Sequence, residues 1–222
     1  VKIGQKAPDF EAITTCGNIS LNDYKGKWLV LFSHPGDFTP VCTTEMIAFT
    51  RAHTYFKNLN TELLGLSIDS NASHLAWIYD IYCRTGIQIS FPIIADRSGE
   101  IARKYGMISN DISTTETVRN VFIIDPNGII RTILIYPMNV GRFIPEILRI
   151  IQALQMADCA KGSTAANWIP NQPVIISPPK TFCKLQERQQ EILKNRNGIN
   201  WYLSFKEPPK NCIDNGNSNC IE

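Results

Sequence analysis

Apolar and polar positions fall into blocks along this chain, and the blocks change period. Trp28-Leu29-Val30-Leu31-Phe32 is a continuous apolar run between Lys27 and Ser33, the length of a strand buried on both faces. Beyond it Cys42, Met46, Phe49, Ala52, Phe56 and Leu59 recur at helical spacing. Thr39 suits an N-cap and Pro40 the first helical position, where no N–H is needed, so the spacing predicts a helix that ends near Asn58-Leu59-Asn60. Residues 62–68 read as the next buried strand. Asp69-Ser70-Asn71 offers a cap for a helix over 72–84, with Leu75, Ile78, Tyr79 and Tyr82 as its apolar face. A short strand and turn at 91–96 and a short helix at 99–105 follow. Strands at 118–125 and 129–136 flank Pro126-Asn127-Gly128, a strong hairpin signal. Residues 141–157 form an amphipathic helix, apolar at Phe143, Ile147, Leu148, Ile151 and Leu154, with Pro145 tolerated in its first turn. Before all of these, residues 1–27 hold short β-like pieces with turns at Gly17-Asn18 and Lys25-Gly26.

Strand–helix alternation closed by a hairpin and a helix predicts an α/β fold with a mixed sheet flanked by helices. That order is what a thioredoxin-like core produces, and it assigns residues 1–160 to one domain. Composition shifts after Lys161: six of the 13 prolines lie between Pro170 and Pro209. The stretch 161–222 is therefore expected to be an irregular C-terminal extension, interrupted by one polar helix at 183–195.

Hydrophobic content of 44% supports a packed core, and 19% charged residues excludes a disordered chain. Net charge is +2 with no dense basic block, which argues against nucleic acid and anionic membranes as partners. Arg131 interrupts the most hydrophobic stretch, and Val1-Lys2-Ile3-Gly4-Gln5 lacks the apolar core of a signal peptide, so a cytoplasmic protein is expected. Seven cysteines (Cys16, Cys42, Cys83, Cys159, Cys183, Cys212 and Cys220) are scattered and odd in number. That pattern fits a reducing compartment and at least one working thiol.

Cys42 is the candidate. It falls in the first turn of a helix leaving a central strand, where free N–H groups and the helix dipole favour an anion. A free thiol titrates near about 8.5, so only about 3% is thiolate at neutral pH; a helix N-terminus and one cation shift that balance toward the anion. A buried structural cysteine is the plain alternative. Pro35, Gly36 and Pro40 around it favour a shaped loop over simple core filling.

Pro35, Thr39 and Cys42 match the Pro-x-x-x-Thr-x-x-Cys signature, and the string from His34 through Glu45 resembles the one-cysteine type of peroxiredoxin in particular. The similarity runs from Gly4-Gln5-Lys6-Ala7-Pro8-Asp9-Phe10 to about Pro179. The resemblance implies a thioredoxin-like fold and a thiol peroxidase in antioxidant defence, reducing hydrogen peroxide and alkyl hydroperoxides through a Cys42 sulfenic acid. It implies no metal and no organic cofactor, and thioredoxin or another thiol as reductant. It also implies a homodimer assembled into a decamer, with residues 161–222 as a dimerisation arm.

Arg119, charged among apolar strand residues, matches the arginine that the family sets against the reactive sulfur; alone it could be a solvent-facing strand residue. Thr39 could be a cap only, but in the family its hydroxyl also contacts the sulfur and the peroxide, and Pro35 shields the pocket. His34 and Glu45 match residue types of the subfamily, and Arg142 fits a second family arginine. Packing accounts for Cys16 and Cys83. The Val-Cys-Pro context of a typical resolving cysteine is missing, while bacterial and archaeal relatives carry tail cysteines, so Cys212 or Cys220 is the expected resolving thiol. The spacing departs from theirs, because Trp201-Tyr202-Leu203-Ser204-Phe205 holds no cysteine.

Other functions fit less well. A thioredoxin-like disulfide oxidoreductase would want Cys-x-x-Cys, and no pair has that spacing. A peroxide-sensing or metal-binding role for the tail lacks close ligand pairs. A phospholipase would need a serine motif where Tyr24-Lys25-Gly26-Lys27-Trp28 stands.

Overall fold

In the computed structural model, which describes residues 1–213, the apolar run after Lys27 lies inside a seven-stranded sheet. In chain order the first unit holds β1 (Glu11–Thr14), β2 (Gly17–Ser20), a 3-10 turn (Leu21–Tyr24) and β3 (Trp28–Ser33). Then come α1 (Pro40–Asn58), β4 (Thr61–Ser67), α2 (Asn71–Thr85), β5 (Ile93–Ala95), α3 (Glu100–Tyr105), β6 (Arg119–Ile124) and β7 (Ile130–Tyr136). The strand order is β2-β1-β5-β4-β3-β6-β7. β3, β4 and β5 are parallel, while β6, β7, β1 and β2 join antiparallel. This is the mixed, thioredoxin-like sheet that the alternation predicts.

The period of the strands decides what each face meets. Leu29 and Leu31 of β3 join Leu64, Leu66, Phe122 and Ile124 in one core cluster with Phe10 and Tyr105. Phe32 points the other way and stacks on Phe49 of α1, ring centroids 4.1 Å apart. Each such fully buried large side chain contributes about 1.5–3 kcal/mol. The hairpin forms where Pro126-Asn127-Gly128 stands: Gly128 has φ 79 and its N–H donates to Asp125 O. Asp125 Oδ1 accepts from the N–H groups of Asn127 and Ile129, which closes the turn.

Two sequence expectations fail on α2. The buried face is His74, Trp77 and Ile81, whereas Leu75, Tyr79 and Tyr82 are exposed. Both sets have helical spacing, and burial went to the one whose polar atoms find partners inside. Cys83 on the outer face of α2 and Cys16 beside the β1–β2 turn are exposed, so packing does not account for them.

By its internal contacts the described chain divides into two compact units, the second beginning at Pro145. It takes in α4 (Ile144–Ala160), β8 (Val174–Ile175), α5 (Phe182–Asn195), β9 (Gly198–Asn200), β10 (Leu203–Lys206) and α6 (Lys210–Ile213). The division falls there because Ala153, Met156 and Ala160 of α4 pack with Trp168 and Val174. The extension is more regular than its prolines predict, with a three-stranded sheet in the order β8-β10-β9. Within this unit Cys159 and Cys212 form a disulfide across a sequence separation of 53. Phe143, expected on the apolar face of the helix, precedes α4 and is exposed. Among the described residues, no helix is long and apolar enough to cross a membrane.

Candidate active site

Cys42 is the third residue of α1, and its side chain is completely buried. Thr39 has the extended backbone of an N-cap and Pro40 follows at the first position, as the sequence predicts. The Thr39 hydroxyl does not cap, however. It donates to Gly36 O at 2.9 Å and so tightens the preceding loop, and no N–H of the first helical turn donates to its oxygen. Pro35 is buried where the chain leaves β3.

Arg119 reaches the same point from β6. The antiparallel register pairs Phe32 with Val121, so Arg119 sits two residues further along, past the C-terminal end of β3. Its Nη1 donates to Cys42 Sγ at 3.2 Å and to Glu45 Oε2 at 2.8 Å. Nε and Nη2 both donate to Met138 O, at 2.8 and 2.6 Å, which fixes the plane of the guanidinium. Arg119 is therefore no solvent-facing strand residue.

Glu45 lies one turn after Cys42 on the same buried face and is 3% exposed. Arg142 donates to it three times: from N and Nε to Oε1 at 2.9 and 2.8 Å, and from Nη2 to Oε2 at 2.6 Å. Burial pushes the Glu45 carboxyl up, but the hydrogen bonds from Arg142 and the charge of Arg119 outweigh it and hold it below the usual carboxylate range. Arg142 also donates to Ser33 O and Asn120 O and lies over the rings of Phe32 and Phe49. Two guanidiniums thus face one carboxylate and one sulfur. The carboxylate leaves one positive charge over, and a thiolate at Cys42 would cancel it.

His34 is not bonded to the sulfur. It turns Nε2 toward Asp37 Oδ1 at 3.0 Å, and Asp37 also faces His74 Nδ1, with Oδ2 at 2.8 Å. Burial pushes the His34 imidazole down, against the pull of Asp37. Burial raises the Asp37 carboxyl, yet hydrogen bonds from His34 and then His74 carry it far below the ordinary range. Among the described residues this trio is the cluster whose donors could surround a metal ion. The protons fit that poorly: a His34 ligating through Nε2 would carry its hydrogen on Nδ1, a buried atom with no partner. Sequence reading passed over Asp37 and His74. The available signal was Asp37 three residues after His34, and a histidine on α2 in helical register with Trp77.

The expected resolving thiols separate. Cys212 is joined to Cys159, at the last turn of α4, rather than free for Cys42. Lys206, at the end of β10, donates to Ala160 O and brings this segment to that turn. Cys220 lies outside the described residues.

Residues 3–133 match the AhpC/TSA family. The chain is 56% identical over 209 residues to the Peroxiredoxin 2 of Caldanaerobacter subterraneus subsp. tengcongensis, covering 93% of each. It is 46% identical over 217 residues to the Peroxiredoxin of Aquifex aeolicus, covering 93% of this chain and 96% of that one. Among solved structures it is similar to a cysteine-to-serine mutant of the Peroxiredoxin 6 of Arenicola marina, with TM-score 0.82 and 34% identity, over 95% of this chain and 99% of that one. A yeast mitochondrial 1-Cys peroxiredoxin gives TM-score 0.80 and 40% identity, over 93% and 99%.

Proposed function

The chain belongs to the AhpC/TSA family and is a thiol-dependent peroxidase, and from that premise we propose that Cys42 is the peroxidatic residue and Arg119 its principal electrostatic partner. The observation that carries the reading is the 3.2 Å contact of Arg119 Nη1 with Cys42 Sγ.

The Cys42 thiolate attacks the nearer oxygen of hydrogen peroxide or an alkyl hydroperoxide in line with the O–O bond. A sulfur lone pair forms the S–O bond, the O–O pair leaves with the far oxygen, and that oxygen takes a proton to become water or an alcohol. Cys42 is left as a sulfenic acid. Arg119 and the free N–H groups at the start of α1 stabilise the charge that builds on the leaving oxygen. Glu45 holds Arg119 and Arg142 apart at fixed distance, Pro35 keeps water from the sulfur, and the Thr39 oxygen lone pairs accept from the peroxide O–H.

A reducing thiol returns Cys42 to its starting state, thioredoxin or another small dithiol serving as the source. Because Cys42 is buried, that thiol reaches it when the first turn of α1 opens. Cys212 serves as an internal resolving thiol only once its bond to Cys159 is exchanged. The exposed Ile135 on the edge strand β7 supports a homodimer joined through that edge, assembled further into a decamer, with the second unit as its arm. The free thiols of Cys16, Cys42, Cys83 and Cys183 suit a reducing compartment such as the cytoplasm. A disulfide oxidoreductase is not favoured, since among the described residues no second cysteine stands beside Cys42.

The direct test is Cys42→Ser. Peroxide reduction with a thioredoxin system is expected to vanish while circular dichroism and melting stay native. Turnover above a tenth of the wild-type rate would overturn the assignment.

A further inference from the structure

The disulfide of the second unit is unequal on its two sides. Cys159, the last residue but one of α4, is exposed, whereas its partner Cys212 is half-buried. Cys212 packs against the cluster of Ala153, Met156, Ala160, Trp168 and Val174. A thiolate opens a disulfide by attacking one of its sulfurs, and access decides which sulfur that is. By exposure, Cys159 is the open side of this bond and Cys212 the covered one.

Two further observations argue against a passive staple. In a reducing compartment, which the free thiols of Cys16, Cys42, Cys83 and Cys183 suit, disulfides are as a rule transient and serve catalysis or redox sensing. The bond also sits where its opening has a consequence. β10 ends at Lys206, whose Nζ donates to Ala160 O at 2.7 Å. Past that residue the chain is joined covalently to α4 by the disulfide, while the Cys212 N–H turns back to Pro209 O at 2.9 Å.

We propose that Cys159 and Cys212 are a second redox-active site of this chain, with Cys159 the sulfur that an external dithiol of the thioredoxin class attacks. The incoming thiolate forms a bond to Cys159 Sγ. The bond between Cys159 and Cys212 breaks, and its electron pair leaves on Cys212, which takes a proton from water. The second thiol of the dithiol, once deprotonated, displaces Cys159 from the mixed disulfide. The dithiol ends as a disulfide, two electrons poorer, and Cys159 and Cys212 end as thiols. Opening the bond frees residues 207–213 from α4. Its use in peroxide turnover rests on the reading of Cys42 as the peroxidatic thiol, with Cys212 released to resolve it; the exchange itself needs no thiol at Cys42.

Peptide mass spectrometry of the oxidised full-length protein tests this. It is expected to show Cys159 joined to Cys212; Cys220 joined to either of them instead overturns the proposal. Brief treatment of the native protein with glutathione, quenched with N-ethylmaleimide, is expected to place glutathione on Cys159 and maleimide on Cys212 with a preference of about tenfold or more. Glutathione on Cys212, or on both alike, overturns it. Dithiothreitol is expected to open the native bond at no less than about a tenth of its rate in urea-unfolded protein. A slower native rate marks a shielded staple and overturns it. After reduction, trypsin cleavage of the native protein at Lys206 and Lys210 is expected to rise several-fold, and unchanged cleavage overturns the release of residues 207–213. The same results are expected in Cys42→Ser, so failure of the peroxidatic assignment and failure of this proposal are told apart.

Discussion

Replacing Arg119 by alanine removes three things at one stroke: a donor 3.2 Å from the Cys42 sulfur, one of the bonds to Glu45, and both bonds to Met138 O. The site loses its one surplus positive charge. With Arg142 and Glu45 cancelling each other, a Cys42 thiolate becomes an uncompensated buried anion. The bare Coulomb term for a unit pair at this 3.2 Å separation is about 5 kcal/mol with an effective dielectric of 20. Part of it is offset, because the alanine variant need not desolvate a guanidinium and water can enter its place. Loss of a single preorganised donor to developing negative charge costs about 2.7–4 kcal/mol, or a factor of about 10²–10³ in rate. Arg119→Ala is therefore expected to slow the second-order reaction of reduced protein with hydrogen peroxide by about 10²–10³ at pH 7. Arg119→Lys recovers little, since an ammonium cannot span Sγ and Met138 O with a planar fork. The assay is stopped-flow tryptophan fluorescence under single turnover, repeated at alkaline pH. There, the ground-state share of the loss is restored and the transition-state share remains. A loss below tenfold at pH 7, with native circular dichroism, would refute the argument that the guanidinium organises this sulfur.

Glu45→Gln leaves two buried guanidiniums without their counter-ion and is expected to destabilise the first unit by about 3–5 kcal/mol, read from chemical denaturation. Glu45 and Asp37 both have folded carboxyls held below their unfolded values, so their stabilisation is full above the unfolded carboxylate range near about 4.3 and is lost as pH falls through the lower folded values. The acid limb of wild-type stability, measured by urea midpoints down to pH 2, should therefore be steeper than that of Glu45→Gln. Cys212→Ser opens a loop of 53 residues' separation and is expected to weaken the second unit by about 4 kcal/mol on the chain-entropy argument. Trypsin cleavage within residues 161–213 that is no faster than in wild type would contradict this. Light scattering behind size-exclusion chromatography is expected to show a dimer or a larger even assembly; a monomer at micromolar concentration would reject the proposed use of the β7 edge.

Wherever one period of apolar residues had no rival, the sequence alone was enough. The buried run Trp28–Ser33, the face from Cys42 to Phe56 and the turn at Asn127-Gly128 all stand where pattern and turn chemistry put them. The motif around Cys42 and the strand position of Arg119 are likewise legible in the sequence, and the fold sets the two side chains 3.2 Å apart. Where two periods competed, the sequence could not choose. Leu75, Tyr79 and Tyr82 have the better hydropathy, yet α2 buries His74, because only the folded chain supplies Asp37 and Ile94 O to satisfy its nitrogens. Glu45 is the same case. A carboxylate on an apolar stripe looks like a surface interruption until Arg119 and Arg142, 74 and 97 residues away, converge on it. The partner of Cys212 also lay beyond local reasoning, for nothing within ten residues of it names Cys159. Local propensity and periodicity act over a few residues and write themselves into the sequence. Charge compensation, hydrogen-bond satisfaction and disulfide pairing depend on groups distant in the chain, and only the tertiary structure brings those together.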